Sequence, residues 1–221
     1  LKKKLVLKVG GAILLNDLEG LWQWIKTIEP DWELIIVHGA GPQTSELTRQ
    51  LGGEVKQFRG RRITGDLDLN ALLYAARGAL SARICAAGYR LKLNPVGLSG
   101  VDAGLIQVER RPPWLYEGEQ IDFGWVGDVK HVESALLNLL VKQGWVPVIA
   151  TLGVDQQGNI YNVNGDTCAL EIASAVGADA LWFLTETGGV VLKGNVLEQM
   201  NPQGLEQAVK ETWVSGGMEV K

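Results

Sequence analysis

An α/β fold, a three-layer αβα sandwich with a mainly parallel central sheet, is predicted by three features of this 221-residue sequence. Short β-branched apolar runs alternate with longer amphipathic runs along the chain, the pattern of strands joined by crossover helices. The first two apolar runs, residues 4–9 (KLVLKV) and 34–38 (LIIVH), each open into a glycine turn, Gly10-Gly11 and Gly39-Ala40-Gly41. Hydrophobic residues make up 46% of the chain and charged residues 21%, enough apolar material for one large core or two modest lobes.

In order, the first strand is followed by an amphipathic run from Leu18 to Ile28, with Leu18, Leu21, Trp22, Ile25 and Ile28 at helical spacing. The second strand leads into a helix that starts near Pro42 and stops at Gly52-Gly53, matching the preference for Pro at helix starts and Gly at their ends. Residues 68–88 read as a long Ala/Leu-rich helix closed by Gly88, and Pro95 to Leu98 and Leu105 to Val108 read as strands. Pro112-Pro113 and the turn-rich DFGWVGD mark 112–130 as a loop and hairpin region. A helix from Val132 to Gln143, a strand from Val146 to Ala150 and a hairpin around Asp155 to Asn159 follow. The last elements are a helix from about Thr167 to Val176, a strand from Ala180 to Leu184 and a helix near Gln203 to Lys210. No internal repeat or low-complexity linker interrupts them.

Composition excludes several classes. A formal charge of −4 argues against a nucleic-acid or anionic-membrane surface, and the one basic cluster, Arg59, Arg61 and Arg62, is too short for such a footprint. The two cysteines, Cys85 and Cys168, have no metal or redox spacing and suit a reducing cytoplasm. No signal-like segment opens the chain and no apolar run reaches membrane-spanning length, so a cytoplasmic location is expected.

Glycine turns behind strands bring backbone N–H groups close to an anion, and Lys8 at the end of the first strand adds a cation, so a nucleotide phosphate is the natural ligand. A lone glycine turn is usually only a turn; two with a lysine carry more. The P-loop pattern is absent, and a GxGxxG motif starting at Gly39 fails at Thr44. A nucleophile elbow at Gly97-Leu98-Ser99-Gly100 fails at Val101. His38 and His131 are the only imidazoles and read best as structural. In Asn162-Val163-Asn164-Gly165-Asp166, alternate polar side chains can face one side just ahead of a helix, either as ligand groups or as an ordinary N-cap with turn asparagines. Arg62 in GRRIT has the planar fork that grips a carboxylate, although most loop arginines are only solvated.

These residues carry a resemblance. KVGGA at Lys8 to Ala12, VHGAGPQ at Val37 to Gln43, GRRIT at Gly60 to Thr64, GLSGVDAGLI at Gly97 to Ile106, GWVGDV at Gly124 to Val129, NVNGD at Asn162 to Asp166 and GGMEVK at Gly216 to Lys221 fall in one order across the whole chain. That ordered set resembles the acetylglutamate kinases of the amino acid kinase family. Two departures stand out: Ala40 replaces the middle glycine of the usual HGGG, and LTETGG at Leu184 to Gly189 carries Glu186 and Gly188 where Asp and Pro or Ser are more usual.

The resemblance implies the amino acid kinase fold and transfer of the ATP γ-phosphoryl group to the γ-carboxylate of N-acetyl-L-glutamate, a step of arginine biosynthesis. Lys8, Asp166 and Lys221 would be the catalytic residues, with Asp166 orienting the two lysines. Ala40, Gly41, Arg62 and Asn162 would bind the acetylated amino acid. Gly10, Gly11 and Gly39 would meet the phosphates, and Glu186, Thr187, Gly188, Gly189, Val190, Val191, Trp213, Val214 and Ser215 would line the nucleotide pocket. Magnesium would ride on the ATP phosphates, without a dedicated protein metal site. Residues 1–176 would form an amino-acid-binding and dimerising lobe, and 177–221 a nucleotide lobe incomplete at its C-terminal end. Arginine-inhibited members of the family carry an extra helix ahead of the first strand, which here starts almost at residue 1, so a homodimer without strong arginine inhibition is expected; members also continue past the equivalent of Lys221, so the natural protein is expected to be longer. Two alternatives remain at this stage: a kinase of aminoadipate or glutamate carried on a small protein, whose cleft should be more basic, and a non-catalytic Rossmann-like binding or sensor module.

Overall fold

The computed structural model describes residues 2–185 together with 191, 192, 195, 196, 199–201, 203, 204, 206 and 208. Five strands form the central sheet: β1 (Lys3–Val9), β2 (Trp32–His38), β5 (Pro95–Ser99), β10 (Val146–Ala150) and β13 (Ala180–Leu184). Their order is β13-β1-β2-β10-β5, and every pairing is parallel. The chain runs from β1 toward β2 on one side and returns at its end to place β13 on the other. This reversal of strand order opens a crevice at the carboxyl edge of β1 and β13, the place where open α/β sheets bind ligands.

The period-two alternation of a strand distributes the core. Leu5, Leu7 and Val9 of β1, with Leu34 and Ile36 of β2, pack on one face, and Val6, Ile35, Val37 and Ile149 pack on the other. The first face is covered by α1 (Gly11–Asn16), α2 (Leu18–Ile28) and the long helix described below. Trp22 of α2 is fully buried there, and its indole N–H donates to the Ile84 carbonyl at 2.9 Å, so the largest core side chain leaves no polar atom unpaired. The second face is covered by α6 (Ser134–Lys142) and α7 (Gly165–Val176). Lys8 shares the parity of Val6 and therefore points toward α7.

The expected three-layer architecture with a parallel central sheet is what forms, with several local differences. A six-residue helix, α1, precedes the expected 18–28 helix. The helix after β2 is α3 (Gly41–Gln50). GRRIT is not a loop: Arg61–Ile63 forms β4, which pairs antiparallel with β3 (Lys56–Phe58). The 68–88 helix is longer and composite, with α4 (Asp66–Leu72), a π-helical segment Leu73–Leu80 and α5 (Ser81–Arg90). The 112–130 region holds the hairpin of β7 (Trp114–Tyr116) and β8 (Glu119–Ile121) and the start of β9 (Gly127–Val132). The strand β9 joins β6 (Ile106–Arg110), β11 (Leu152–Val154) and β12 (Ile160–Asn162) in a second, mixed sheet ordered β12-β11-β6-β9. The 155–159 hairpin connects β11 to β12 as expected. Two short strands, β14 (Val191–Leu192) and β15 (Asn195–Val196), pair beyond β13. Residues 203, 204, 206 and 208 are helical, in line with the expected last helix, the rest of which lies outside the described residues.

Candidate active site

The carboxyl ends of β1 and β2 lie side by side, since Lys8 pairs in register with Val37 and Val9 with His38. Their two glycine turns therefore meet. Gln43 Nε2 donates to the Gly11 carbonyl at 3.0 Å, and a Cβ on Gly11 would fall 2.9 Å from Gln43 Oε1 and 3.1 Å from Pro42 Cδ. A side chain at Gly11 would therefore displace the Gln43 amide and press on Pro42 where the two turns pack. Gly39 and Gly41 have the opposite role: a Cβ on either would meet nothing within 4 Å, so both leave open space above the sheet edge. Gly41 begins α3, whose N-cap Ala40 makes no side-chain capping bond. Its first-turn N–H groups are available to an anion, which the helix dipole also favours.

That space is a cleft of about 650 Å³ whose lining includes Gly39, Ala40, Gly41, Arg62, Asn162 and Gly165. Arg49, Arg61 and Arg111 line it too, and no carboxylate is among the described lining residues, so an acidic protein presents a basic surface in this cleft. Lys8 stands at its edge. Its Nζ lies 2.9 Å from Asp166 Oδ1, with both side chains largely buried, and its Cε passes 3.4 Å from where a Cβ on Gly165 would be. Asp166 is held in the first turn of α7, where a negative charge meets the positive end of the helix dipole.

Asn164 is the N-cap: its Oδ1 accepts from the backbone N–H groups of Asp166 and Thr167, each at 3.0 Å. Asn162 instead sends its Nδ2 to Thr64 Oγ1 at 3.0 Å, tying β12 to the end of the arginine hairpin. Arg62 is anchored from three directions. Its Nη1 donates to Asp68 Oδ1 at 3.2 Å, and its Nη2 donates to the Gly41 carbonyl at 3.2 Å and to Ser45 Oγ.

Sequence reasoning missed several residues here. Arg111 is buried, bonded through Nε and Nη2 to Asp128 Oδ1 at 3.0 and 2.5 Å, and its guanidinium lies over the rings of Trp114 and Phe123. Arg61 lies over Trp114 from the other strand pair, 5.2 Å from the ring centroid. Ser45, Thr48 and Asp68 support Arg62 from helices whose sequence shows only ordinary surface polarity. Glu186, Thr187, Gly188, Gly189, Val190, Trp213, Val214, Ser215 and Lys221 lie outside the described residues, and Val191 is described only as the start of β14. Among the described residues no three His, Cys, Asp or Glu side chains converge on a common point. None of the described helices is long and apolar enough to cross a membrane.

His38 is fully buried at the end of β2, and burial pulls its pKa down to about 4, with the Arg77 guanidinium adding to the fall and a Gly39 backbone bond opposing it. The unfolded chain takes up this proton near pH 6.5, and the folded one does so only near pH 4. The stability tied to neutral His38 is therefore complete above pH 6.5 and is lost as pH falls from there toward 4, on the order of 3 kcal/mol in all. Thermal melts from pH 7 to 4.5 check this: the decline should be visibly shallower in His38→Gln, which has nothing to protonate, and equal slopes would refute it. Burial raises the pKa of the Cys85 thiol and pushes that of Cys168 up to about 12, which disfavours the thiolate at both.

Residues 3–221 match the model of the amino acid kinase family. A Methanopyrus kandleri protein named acetylglutamate kinase is 38% identical, with the match spanning 96% of this chain and 85% of that protein. An Anaeromyxobacter dehalogenans protein of the same name is 36% identical over 98% of this chain and 83% of its own length. Among solved structures, a Streptococcus mutans UA159 protein superposes with a TM-score of 0.86 over 99% of this chain and 86% of that one, at 24% identity, a likeness of fold.

Proposed function

The chain belongs to the amino acid kinase family, and from that premise we propose that it transfers the γ-phosphoryl group of ATP to the γ-carboxylate of N-acetyl-L-glutamate, giving an acyl phosphate and ADP. The observation that carries the reading is the nearly full-length likeness to acetylglutamate kinases from an archaeon and a bacterium. The chemistry of the cleft supports it.

A carboxylate nucleophile has a reference pKa of about 4.3, so it is ionised at neutral pH and needs no general base. A buried, neutral His38 therefore has no proton to move. The difficulty is electrostatic, because two anions must meet and charge must be held on the transferring phosphoryl group. In this reading Lys8, fixed by Asp166, neutralises that charge, and the amides of Gly10, Gly11 and Gly41 donate to phosphate oxygens, whereas the Gly39 N–H is given to the Val9 carbonyl at 3.4 Å and Gly39 contributes the open space of its turn. Arg62 takes the α-carboxylate of the acceptor, with Ala40, Gly41 and Asn162 around the rest of it. A cation and amide donor set suits phosphate oxygens, and Asp166 is already committed to Lys8, so magnesium is assigned to the ATP phosphates, where it would offset their charge. Lys221 and the segments 186–191 and 213–215 are assigned to the nucleotide side, in a lobe running from 177 to 221 against an acceptor lobe of 1–176.

The same reading includes a homodimer. An apolar groove of about 860 Å³ runs between α1, α3 and the π segment, with Leu15 and Tyr74 more than half exposed on it. A second copy of the chain is assigned to this face.

One observation favours a rival acceptor. A cleft with four arginines suits a glutamate or aminoadipate blocked on its amine by a small acidic protein, although Asp68 and Asp128 offset two of those charges. Incubation with ATP, magnesium, hydroxylamine and free N-acetyl-L-glutamate decides: hydroxamate formation supports the proposal, and its absence overturns it in favour of the carrier-linked acceptor or a non-catalytic module. Sedimentation velocity on the same material should give about twice the monomer mass, and a monomer would refute the dimer.

A further inference from the structure

Asp68 is a buried acid whose role no motif announces. It lies in the first turn of α4 at 7% exposure, and its Oδ1 accepts from Arg62 Nη1 at 3.2 Å and from Thr48 Oγ1 at 3.1 Å. Thr48, on α3, is fully buried behind it. Arg62 is thereby clamped between two helices, with Asp68 on α4 holding Nη1, and the Gly41 carbonyl and Ser45 Oγ on α3 holding Nη2. A guanidinium has five N–H donors. Three are engaged by these described groups, leaving Nε–H and one Nη1–H for a ligand. These two N–H bonds lie on different edges of the guanidinium, so each offers a carboxylate a single charge-assisted bond, and a guanidinium fixed in advance loses little side-chain freedom in making it.

Resting on the acetylglutamate reading, in which Arg62 takes the acceptor's α-carboxylate, we propose that Asp68, backed by Thr48, is the positioning residue that sets the Arg62 guanidinium for that contact. Two opposite effects meet at Asp68. Its charge opposes an incoming carboxylate, whereas its Oδ1 fixes the donor that receives it. Asp68→Asn separates them, because the amide oxygen can still accept from Arg62 and Thr48 while the charge is gone. Asp68→Ala removes both and leaves two buried donors without this acceptor.

The test compares N-acetyl-L-glutamate with 4-acetamidobutyrate, the same acceptor without its α-carboxylate, in the parent, Asp68→Ala and Asp68→Asn. KM is read for each acceptor and for ATP, with Ki against N-acetyl-L-glutamate replacing KM if 4-acetamidobutyrate is not turned over. Asp68→Ala should raise KM for N-acetyl-L-glutamate about tenfold while the other two constants stay within about twofold, as expected for loss of a charge-assisted contact to one group. Asp68→Asn should recover most of that loss. Equal rises for both acceptors mean a merely structural role, and an Asn variant as impaired as Ala means that charge rather than orientation matters; either overturns the proposal. If Asp68→Ala does not fold, Thr48→Val serves instead, with a rise of about two- to fivefold expected for N-acetyl-L-glutamate alone and no change counting against it. A parent inactive on N-acetyl-L-glutamate overturns the functional reading itself, whereas an active parent with unaffected variants overturns only the role of Asp68.

Discussion

Lys8→Met should lower kcat by roughly 10² to 10³, because one preorganised charge donor at a phosphoryl group in transfer is worth ~3–4 kcal/mol. KM values for ATP and the acceptor should change much less. The geometry supplies the rival explanation as well as the expected one. Lys8 Nζ sits 2.9 Å from Asp166 Oδ1 in a largely buried pair, so the substitution also removes the lysine charge beside a buried carboxylate, which can damage the fold rather than the chemistry. A second substitution separates the two. In the Lys8→Met, Asp166→Asn double variant both charges of the buried pair are gone, so thermal stability should return toward that of the parent while kcat stays low. Recovery of kcat in the double variant would mean that Lys8 serves only to neutralise Asp166. A single variant with kcat within a few-fold of the parent would remove Lys8 from the mechanism altogether.

Lys8 also marks what the sequence makes legible. In KLVLKV the alternation assigns Leu5, Leu7 and Val9 to one face, and the same period-two rule sends Val6 and Lys8 toward α7. Leu18 to Ile28, with its clear helical period, and Val146 to Ala150, a continuous apolar run buried on both faces, became the expected elements because hydrophobic burial sets their type. Short elements escaped. Three-residue strands such as Arg61–Ile63 contain no full period, and α1 follows the first glycine turn too closely to show a pattern of its own. The hairpin of β11 and β12 is local and legible, but the second sheet as a whole is not, because β9 lies in a turn-rich segment and the sheet is assembled through β6, which pairs with β9 and with the distant β11. The Asp68–Arg62 pair was illegible for another reason. A spacing of six residues across a strand, a turn at Gly65 and a helix start matches no helix or strand period, so only the fold brings the two together.

Arg62→Ala should raise KM for N-acetyl-L-glutamate about ten- to hundredfold, since a charge-assisted contact between guanidinium and carboxylate is worth about 1.5–3 kcal/mol. The ATP KM should stay near its parent value, because the arginine reaches the cleft from the β3–β4 hairpin and is tied to α3 and α4, away from the β1–β13 crevice. Stability should fall too, as Asp68 in its buried position would lose the Arg62 charge and, among the described residues, keep the Thr48 hydroxyl as its side-chain partner. Arg62→Lys tests whether charge alone suffices. A lysine ammonium keeps the positive charge but is a single point of attachment, and cannot replace a planar fork bonded at once to Asp68, the Gly41 carbonyl and Ser45. Its acceptor KM should therefore remain well above the parent's, with the ATP KM unchanged. Acceptor affinity intact in both variants, with ATP KM raised, would place this arginine on the nucleotide and reverse the orientation of the two substrates in the cleft.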